Sequence, residues 1–99
     1  MSNQPIIRIL VVDDESSIRR ALRPSLMELG FQVAEASRGE EALQALRAST
    51  YDVVLLDMNM PGIGGIETLR RIRAFAPRLP VLMLTVRDGE EEKVEAAKN

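Results

Sequence analysis

Residues 9–15 of the chain read Ile-Leu-Val-Val-Asp-Asp-Glu, so that four apolar residues run directly into three acidic ones. A short, β-branched run without polar alternation is typical of a strand covered on both faces, as in a parallel sheet flanked by helices. The pattern recurs at residues 53–57, Val-Val-Leu-Leu-Asp, and at residues 81–85, Val-Leu-Met-Leu-Thr. Residues 31–36 form a weaker strand whose mixed polarity suits a sheet edge. These segments predict a parallel sheet in which polar residues end three of the strands.

Helical periodicity fills the segments between these strands. Apolar residues recur there at spacings of three and four, which places them on one face of a helix. The three stripes are Ile18, Leu22, Leu26 and Leu29; Ala42, Leu43 and Leu46; and Ile66, Leu69, Ile72 and Phe75. Pro24 removes a hydrogen bond from the first helix, so we expect a bend or an irregular turn there. Residues 90–98 are predicted to begin a fourth helix, and the alternating order predicts a doubly wound α/β sheet with right-handed crossovers.

The composition excludes several classes of function. The chain has 99 residues, the size of one domain, and contains neither cysteine nor histidine. Disulfide bonds, thiolate metal sites and imidazole catalysis are therefore excluded. The net charge of −2 and the aromatic content of 3% argue against a nucleic-acid-binding surface, and arginine clusters at residues 19–23 and 70–73 are interpreted as solvated helix faces. No segment resembles a signal peptide or a membrane span, so we expect a cytoplasmic protein with no membrane partner.

Three aspartates follow two of the predicted strands. Asp13 and Asp14 come directly after the first strand, Asp57 ends the third, and Thr85 ends the fourth. Because the carboxyl ends of parallel strands meet at one edge of a sheet, we expect these side chains to lie close together. Taken alone, each has a structural explanation, since an aspartate can cap a helix or form a turn and a threonine can end a strand. Their joint placement favours a functional site.

Clustered carboxylates in a chain without histidine or cysteine favour a hard divalent cation bound through oxygen, such as Mg²⁺. Without a cation, the carboxylates would repel one another and raise each other's pKa. An aspartate carboxylate is also a nucleophile toward phosphorus, with which it forms an acyl phosphate. Since phosphoryl transfer mainly requires positioning and charge neutralisation, the pattern indicates a Mg²⁺-dependent phosphoryl-transfer site.

Three segments of the chain resemble the signatures of response-regulator receiver domains, which belong to two-component signalling systems. They are residues 10–15, Leu-Val-Val-Asp-Asp-Glu; residues 55–62, Leu-Leu-Asp-Met-Asn-Met-Pro-Gly; and residues 83–85, Met-Leu-Thr. The spacing also agrees, with 43 residues from Asp14 to Asp57 and 28 from Asp57 to Thr85. The resemblance covers nearly the whole chain from Arg8 onward. It implies a flavodoxin-like fold, a doubly wound parallel sheet with the strand order 2-1-3-4-5.

The resemblance implies a role for each residue of the site. Asp57 would accept a phosphoryl group from a sensor histidine kinase. Asp14 and Asp57 would bind Mg²⁺ through their side chains and Asn59 through its backbone carbonyl, whereas Asp13 would act mainly through bound water. Thr85 would turn its hydroxyl toward the phosphoryl group and so switch the conformation that controls an output domain.

The chain departs from the family pattern in two places. The family has a fifth strand that ends in a lysine, but we expect residues 1–99 to be a receiver domain that ends before this strand, with the order 2-1-3-4. Lys93 and Lys98 fall on the predicted fourth helix, so no catalytic lysine is assigned in this chain. The residue after Thr85 is usually small, whereas here it is Val86. Without the fifth strand and helix, residues 81–85 would be an exposed sheet edge, and a homodimer is expected through that edge or through the helix-four region.

Two further segments of the sequence bear on the output of the domain. Residues 65–73 and 85–88 resemble regulators that carry a winged-helix DNA-binding domain, so we expect a transcriptional output, with DNA contacted only through a domain absent from these residues. Two alternatives stay open. One is a Mg²⁺-dependent aspartyl phosphatase, although such enzymes usually carry a second aspartate where this chain has Asn59. The other is a receiver-like fragment without signalling activity. We expect a phosphoacceptor and not an enzyme, with at most slow self-phosphorylation and self-dephosphorylation.

Overall fold

The structure is a computed structural model that describes residues 5–86 and 92–96, with side chains for residues 5–84. The strands are β1 (Arg8–Val12), β2 (Gln32–Ala36), β3 (Val53–Asp57), β4 (Val81–Val86) and β5 (Glu92–Ala96), and the helices are α1 (Ser16–Glu28), α2 (Gly39–Ala48) and α3 (Gly64–Phe75). The four strands and the first three helices predicted from the sequence are confirmed, and α1 continues through Pro24. Within the described residues, no helix combines the length and the apolar character that crossing a membrane requires.

The first four strands form a parallel sheet in the order β2-β1-β3-β4, as predicted. Val12 lies beside Leu56, and Asp57 lies beside Leu84, so β1, β3 and β4 reach the same edge at their carboxyl ends. The chain adds β2 on one side of β1 and then β3 and β4 on the other. Right-handed crossovers therefore place α1 on one face of the sheet and α2 and α3 on the opposite face.

The face under α2 and α3 carries the hydrophobic core. Its buried side chains are Leu10, Val12, Ala36, Ala42, Leu43, Val54, Leu56, Met60, Ile72, Val81 and Met83. The strand residues in this set alternate along each strand because successive side chains point to opposite faces. Full burial of a large aliphatic side chain contributes roughly 1.5–3 kcal/mol, so this face anchors the strands whose ends carry the acidic residues.

The face under α1 is covered less completely. Ile9 and Val11 of β1 are buried, whereas Leu55, Leu82 and Leu84 of the neighbouring strands are only half-buried. No residue of α1 is itself buried. A single helix about 10 Å across covers roughly two strands spaced about 4.8 Å apart. The sheet is therefore well covered at β1 and partly exposed at β3 and β4 on this face.

Residues 92–96 form a strand, so the predicted fourth helix over residues 90–98 is wrong for the described part of that segment. β5 runs antiparallel to β4, with Lys93 opposite Thr85 and Val94 opposite Leu84. It is not the parallel fifth strand that the family resemblance implies, and it occupies the edge of β4 that we expected to be exposed. An unpaired strand edge offers a row of backbone N–H and C=O groups, and an antiparallel partner needs only a short connection. This pairing overrides a local sequence that favours helix, and a homodimer through that edge loses its structural basis.

Candidate functional site

Three carboxylates converge where β1 and β3 end. Asp13 directly follows β1, Asp14 is the next residue, and Asp57 is the last residue of β3. One carboxylate oxygen from each of the three lies within 4.8 Å of the others, as the strand pattern predicts. Asp13 is buried, Asp57 is half-buried and Asp14 is exposed. The cluster is therefore rooted in the sheet and open to solvent on one side.

Asp13 is held by hydrogen bonds from three directions. Its backbone N–H donates to the carbonyl of Ala36 at the end of β2 (3.1 Å). Its carboxylate Oδ1 accepts from the backbone N–H of Glu15 (2.9 Å), and its carbonyl accepts from a guanidinium nitrogen of Arg19 (2.5 Å). Because each polar group of the residue has a partner, Asp13 has a defined orientation before any ligand arrives.

Asp57 is positioned by the loop that follows it. The backbone N–H of Asn59 donates to Asp57 Oδ1 (3.2 Å), while the N–H of Met58 continues the ladder to the carbonyl of Leu84 (3.2 Å). Gly65, at the start of α3, donates its N–H to the carbonyl of Met58 (3.2 Å). A Cβ at position 65 would lie 2.6 Å from the carbonyl oxygen of Asp57, so only glycine allows α3 to begin this close to the site.

Burial and mutual repulsion perturb the ionisation of the cluster. The pKa of Asp57 is raised to about 6, chiefly by burial and then by the negative charges of Asp13 and Asp14, while the N–H of Asn59 acts in the opposite direction. The pKa of Asp13 is also raised, again chiefly by burial. Both shifts reflect mainly the partial burial of the carboxyl groups, to which the negative charges of the neighbouring carboxylates add.

The donor set fits a hard divalent cation. All three side chains offer carboxylate oxygens, which are the ligands that Mg²⁺ and Ca²⁺ prefer. A cation placed among them would relieve the repulsion that raises the pKa of Asp57. With only a few protein oxygens available, water would complete the coordination shell. The cluster of Asp13, Asp14 and Asp57 can therefore hold a metal ion.

The remaining predicted site residues differ in how far the structure describes them. Asn59 lies in the loop after β3 and contacts Asp57 through its N–H, whereas its carbonyl as a metal ligand stays a prediction. Thr85 lies in β4, one residue past the position beside Asp57, and its side chain is outside the described residues. Lys93 lies in β5 and not on a helix, while Lys98 is outside the described residues.

Two residues that the sequence analysis did not assign to the site make contact with it. Arg19 was predicted to belong to a solvated helix face, but its side chain is only 17% exposed and bonds to Asp13. Gly65 closes the loop after Asp57. The glycine-rich residues 62–65 carried a signal for close backbone approach, whereas nothing in the sequence distinguishes Arg19 from the other arginines of α1.

A separate cleft of about 600 Å³ lies at the opposite, amino-terminal edge of β3 and β4. Apolar side chains such as Leu46, Tyr51 and Phe75 contribute to its lining. It contains none of the three clustered carboxylates, and its position before the strands begin separates it from the acidic edge. The chemistry indicated by the clustered carboxylates therefore belongs to the acidic edge and not to this cleft.

Comparison with known proteins identifies the family. Residues 9–99 match the family model described as the response regulator receiver domain. Response regulator MprA from Mycolicibacterium vanbaalenii is 43% identical over 88 residues, which cover 89% of this chain and 38% of that protein. MprA from Mycobacterium tuberculosis is 42% identical over 88 residues, with the same coverage. The chain thus spans well under half the length of these relatives.

Solved structures agree with this match. Response regulator TrrA from Thermotoga maritima, in complex with Mg²⁺ and BeF, has a TM-score of 0.80 and 42% identity over 85% of this chain and 73% of that one. The structure of histidine kinase ThkA in complex with TrrA matches with a TM-score of 0.78 and 43% identity, and the match covers 82% of this chain and 70% of that one. Chemotaxis response regulator CheY4 from Vibrio cholerae matches with a TM-score of 0.77 and 33% identity, and the match covers 80% of this chain and 68% of that one. With its 2-1-3-4 parallel strands and acidic edge, this chain belongs to the response regulator receiver domain family.

Proposed function

We propose that the chain is a signalling phosphoacceptor that takes a phosphoryl group on Asp57 from a sensor histidine kinase in a Mg²⁺-dependent way. The observation that carries this proposal is the meeting of Asp57 with Asp13 and Asp14 at one edge of the sheet, within 4.8 Å. Among the three, Asp57 is the best nucleophile. Asp13 is buried, and Asp14 is an exposed loop residue, whereas Asp57 is fixed by β3 and remains partly open to solvent.

The proposed transfer is a displacement at phosphorus. One carboxylate oxygen of Asp57 forms a bond to phosphorus while the bond from phosphorus to the donor's nitrogen breaks, and that nitrogen keeps the electron pair. With a pKa of about 6, Asp57 is largely ionised at neutral pH and needs no base to activate it. The N–H of Asn59 holds Oδ1, which orients the carboxylate for in-line attack.

The proposed metal ligands are those that the family pattern implies, and the meeting of the three carboxylates supports them. Asp14 and Asp57 would bind Mg²⁺ through their side chains, Asn59 through its backbone carbonyl, and Asp13 mainly through water. When bound, Mg²⁺ supplies the positive charge that offsets the carboxylates and the phosphoryl oxygens. The hydrogen bond from the N–H of Glu15 holds the carboxylate of Asp13 at the cluster.

Signal output is proposed to pass through Thr85, whose hydroxyl would turn toward the phosphoryl group. The kinase partner is supported by the related receiver TrrA, which forms a complex with histidine kinase ThkA, and Mg²⁺ by the complex of TrrA with Mg²⁺ and BeF. Since the chain matches only 38% of the response regulators it resembles, an attached output domain, transcriptional control and a cytoplasmic location are proposals for the full-length protein.

We further propose that the chain is not an enzyme that turns over a substrate. A phosphatase with an aspartyl nucleophile needs an acid to protonate the leaving group and a base to activate water for the second step. Two residues after the nucleophile, this chain carries Asn59, whose amide does not titrate near neutral pH. Incubation with p-nitrophenyl phosphate and Mg²⁺ should therefore release no nitrophenol beyond the background rate.

Intact-mass spectrometry tests the phosphoacceptor proposal. The chain is incubated with acetyl phosphate, with Mg²⁺ or with EDTA, and a mass increase of one phosphoryl group is expected only with Mg²⁺. Borohydride trapping and peptide mapping should place the group on Asp57. Asp57→Asn should abolish the increase, whereas the control Asp52→Asn should not, because Asp52 lies at the opposite edge, where it bonds to Arg8. Modification of Asp13 or Asp14, or no modification at all, would overturn the proposal.

A further inference from the structure

Arg19 connects the acidic cluster to the second strand. One guanidinium nitrogen donates to the backbone carbonyl of Asp13 (2.5 Å), and the Nε donates to Oε1 of Glu35 in β2 (3.0 Å). We propose that Arg19 is a positioning residue of the metal site, which fixes the backbone that presents Asp13 and Asp14. The inference rests on the proposed function and adds a residue to it.

The bond from Arg19 falls at the point where the chain leaves the sheet. The N–H of Asp13 is the last group held by β2, through Ala36, and the carbonyl of Asp13 opens the peptide unit that leads to Asp14. Beyond it, the chain turns toward the start of α1 at Ser16. The Arg19 bond therefore holds the carbonyl that defines the plane of the Asp13–Asp14 peptide, beside the bond from the Glu15 N–H to Asp13 Oδ1 that spans the same turn.

Glu35 in turn fixes Arg19. Its Oε1 accepts from Arg19, and its Oε2 accepts from Arg23 one turn further along α1 (3.0 Å). The Arg19 side chain is 17% exposed, compared with 45% for Arg23. The planar guanidinium presents separate nitrogens to Glu35 and to the carbonyl of Asp13 at once, which a lysine ammonium on its single nitrogen does less well.

The positive charge of Arg19 and its positioning role have opposite effects on metal binding. A substitution of Arg19 can therefore separate the two effects. The positive charge of Arg19 repels a cation at the cluster, so if charge alone mattered, removing it would strengthen Mg²⁺ binding. If Arg19 positions the Asp13–Asp14 peptide, removing it would loosen the ligands and weaken Mg²⁺ binding. Loss of residues that orient metal ligands typically costs ten- to a hundredfold in affinity.

Arg23 provides a matched control. It pairs with the other oxygen of the same Glu35, it carries the same charge, and it lies on the same helix. The structure gives it no hydrogen bond to Asp13, so Arg23→Gln removes an ion pair to the same Glu35, though a more exposed one, without touching the acidic loop. A general loss of contact between α1 and β2 would affect both variants alike.

The experiment is a Mg²⁺ titration of the ¹⁵N-labelled chain, followed by the backbone amide shifts of Asp13 and Glu15. We expect about a tenfold loss of affinity in Arg19→Gln, a smaller loss of about threefold in Arg19→Lys and in Glu35→Gln, and a change below about twofold in Arg23→Gln. In the metal-free proteins, hydrogen exchange of the Glu15 amide should quicken about tenfold in Arg19→Gln and stay unchanged in Arg23→Gln.

The other outcomes would overturn either the positioning role of Arg19 or the proposed function. Equal or tighter Mg²⁺ binding by Arg19→Gln, or wild-type affinity in Arg19→Lys together with Glu35→Gln, would overturn the positioning role. Equal losses in the Arg19 and Arg23 variants would also overturn it, since they would reflect α1 packing alone. If Arg19→Gln does not fold, Arg19→Lys, which keeps the charge, decides the question. Failure of the wild type itself to bind Mg²⁺ would count against the proposed function, which separates the two results.

Discussion

At the scale of single residues, the ionised form of Asp57 that the proposed chemistry requires is the form that destabilises the fold. Its pKa is about 6 in the folded chain, against an ordinary value of 3.8. A carboxyl with a raised folded pKa stabilises the fold when it is protonated, so this contribution is complete below pH 3.8 and is lost as the pH rises through about 6. At neutral pH the ionised Asp57 therefore destabilises the metal-free chain.

Asp57→Asn should relieve this cost. A shift of about two units corresponds to roughly 3 kcal/mol, and solvent screening of the half-buried group reduces the gain to about 1 kcal/mol. In EDTA at pH 7.5, thermal melting should show Tm raised by about 4–8 °C, and the gain should disappear near pH 4. Saturating Mg²⁺ should stabilise the wild type more than the variant. A wild type as stable as Asp57→Asn at pH 7.5 would contradict the raised pKa.

Gly65 sets the distance between α3 and the site. A Cβ at this position would lie 2.6 Å from both the carbonyl oxygen of Asp57 and the Cα of Met58, well inside van der Waals contact. We expect Gly65→Ala to cost about 1–3 kcal/mol of unfolding free energy and to slow phosphorylation by acetyl phosphate, because the backbone of Asp57 must move. Melting curves and intact-mass time courses measure the two effects.

Gly64 is the control for Gly65, since it has a positive φ of 76° but open space around its Cβ position. Gly64→Ala should lose stability through backbone strain, about 1 kcal/mol or more, and keep the phosphorylation rate of the wild type. If both variants slow phosphorylation in proportion to their loss of stability, the steric contact at position 65 has no separate effect on Asp57.

The site residues divide according to whether a sequence pattern marks them. Asp13, Asp14 and Asp57 could be found from the sequence because each follows an apolar run, and parallel strands end at a common edge. Arg19 could not, because its partners are a backbone carbonyl and Glu35, which lies 16 residues away on β2. Only the packing of α1 against β2 selects it from its neighbouring arginines.

At the scale of elements, continuous apolar runs predicted β1, β3 and β4, and amphipathic stripes predicted α1, α2 and α3. Residues 92–96, Glu-Lys-Val-Glu-Ala, were predicted as helix because four of the five favour helix locally. Their structure is decided instead by the backbone groups along the edge of β4, which no local pattern reports. The antiparallel pairing of β5 with β4 is therefore the part of this fold that the sequence did not predict.

Pro24 destabilises α1, and a substitution at this position should remove the destabilisation. It lies inside an otherwise continuous helix, where it cannot donate to the carbonyl four residues earlier, and it is exposed. We expect Pro24→Ala to raise the unfolding free energy by about 1–2 kcal/mol, which is the helix gain less the added entropy of the unfolded chain. Circular dichroism melting at 222 nm measures the change.

Ser25→Ala is the matched control for the proline variant. Ser25 is also exposed, and its hydroxyl bonds back to the carbonyl of Ala21 (3.3 Å). The substitution improves helix propensity by a few tenths of a kcal/mol without adding a backbone donor. A gain in Pro24→Ala no larger than that in Ser25→Ala would mean that the helix already accommodates the proline at little cost.

At the scale of the whole molecule, the two faces of the sheet differ in cover. The α2–α3 face is closed by a continuous core, whereas Leu55, Leu82 and Leu84 on the α1 face stay half-buried. The edge of β4 between these faces is covered by β5. Solubility of the chain should therefore depend on β5, because five of the six residues of β4 are apolar and its backbone offers a pairing edge.

Removal of residues 87–99 tests this dependence. β4 reads Val-Leu-Met-Leu-Thr-Val and contains no charge, so without β5 two copies can pair edge to edge about a two-fold axis. We expect sedimentation velocity to show dimers and larger species that grow with concentration, together with a lower Tm. A chain that lacks only residues 97–99 is the control and should sediment as the intact protein does. A shortened chain that stays monomeric at high concentration and melts at the wild-type temperature would show that β5 contributes neither stability nor protection, and that β4 is stable as a free edge.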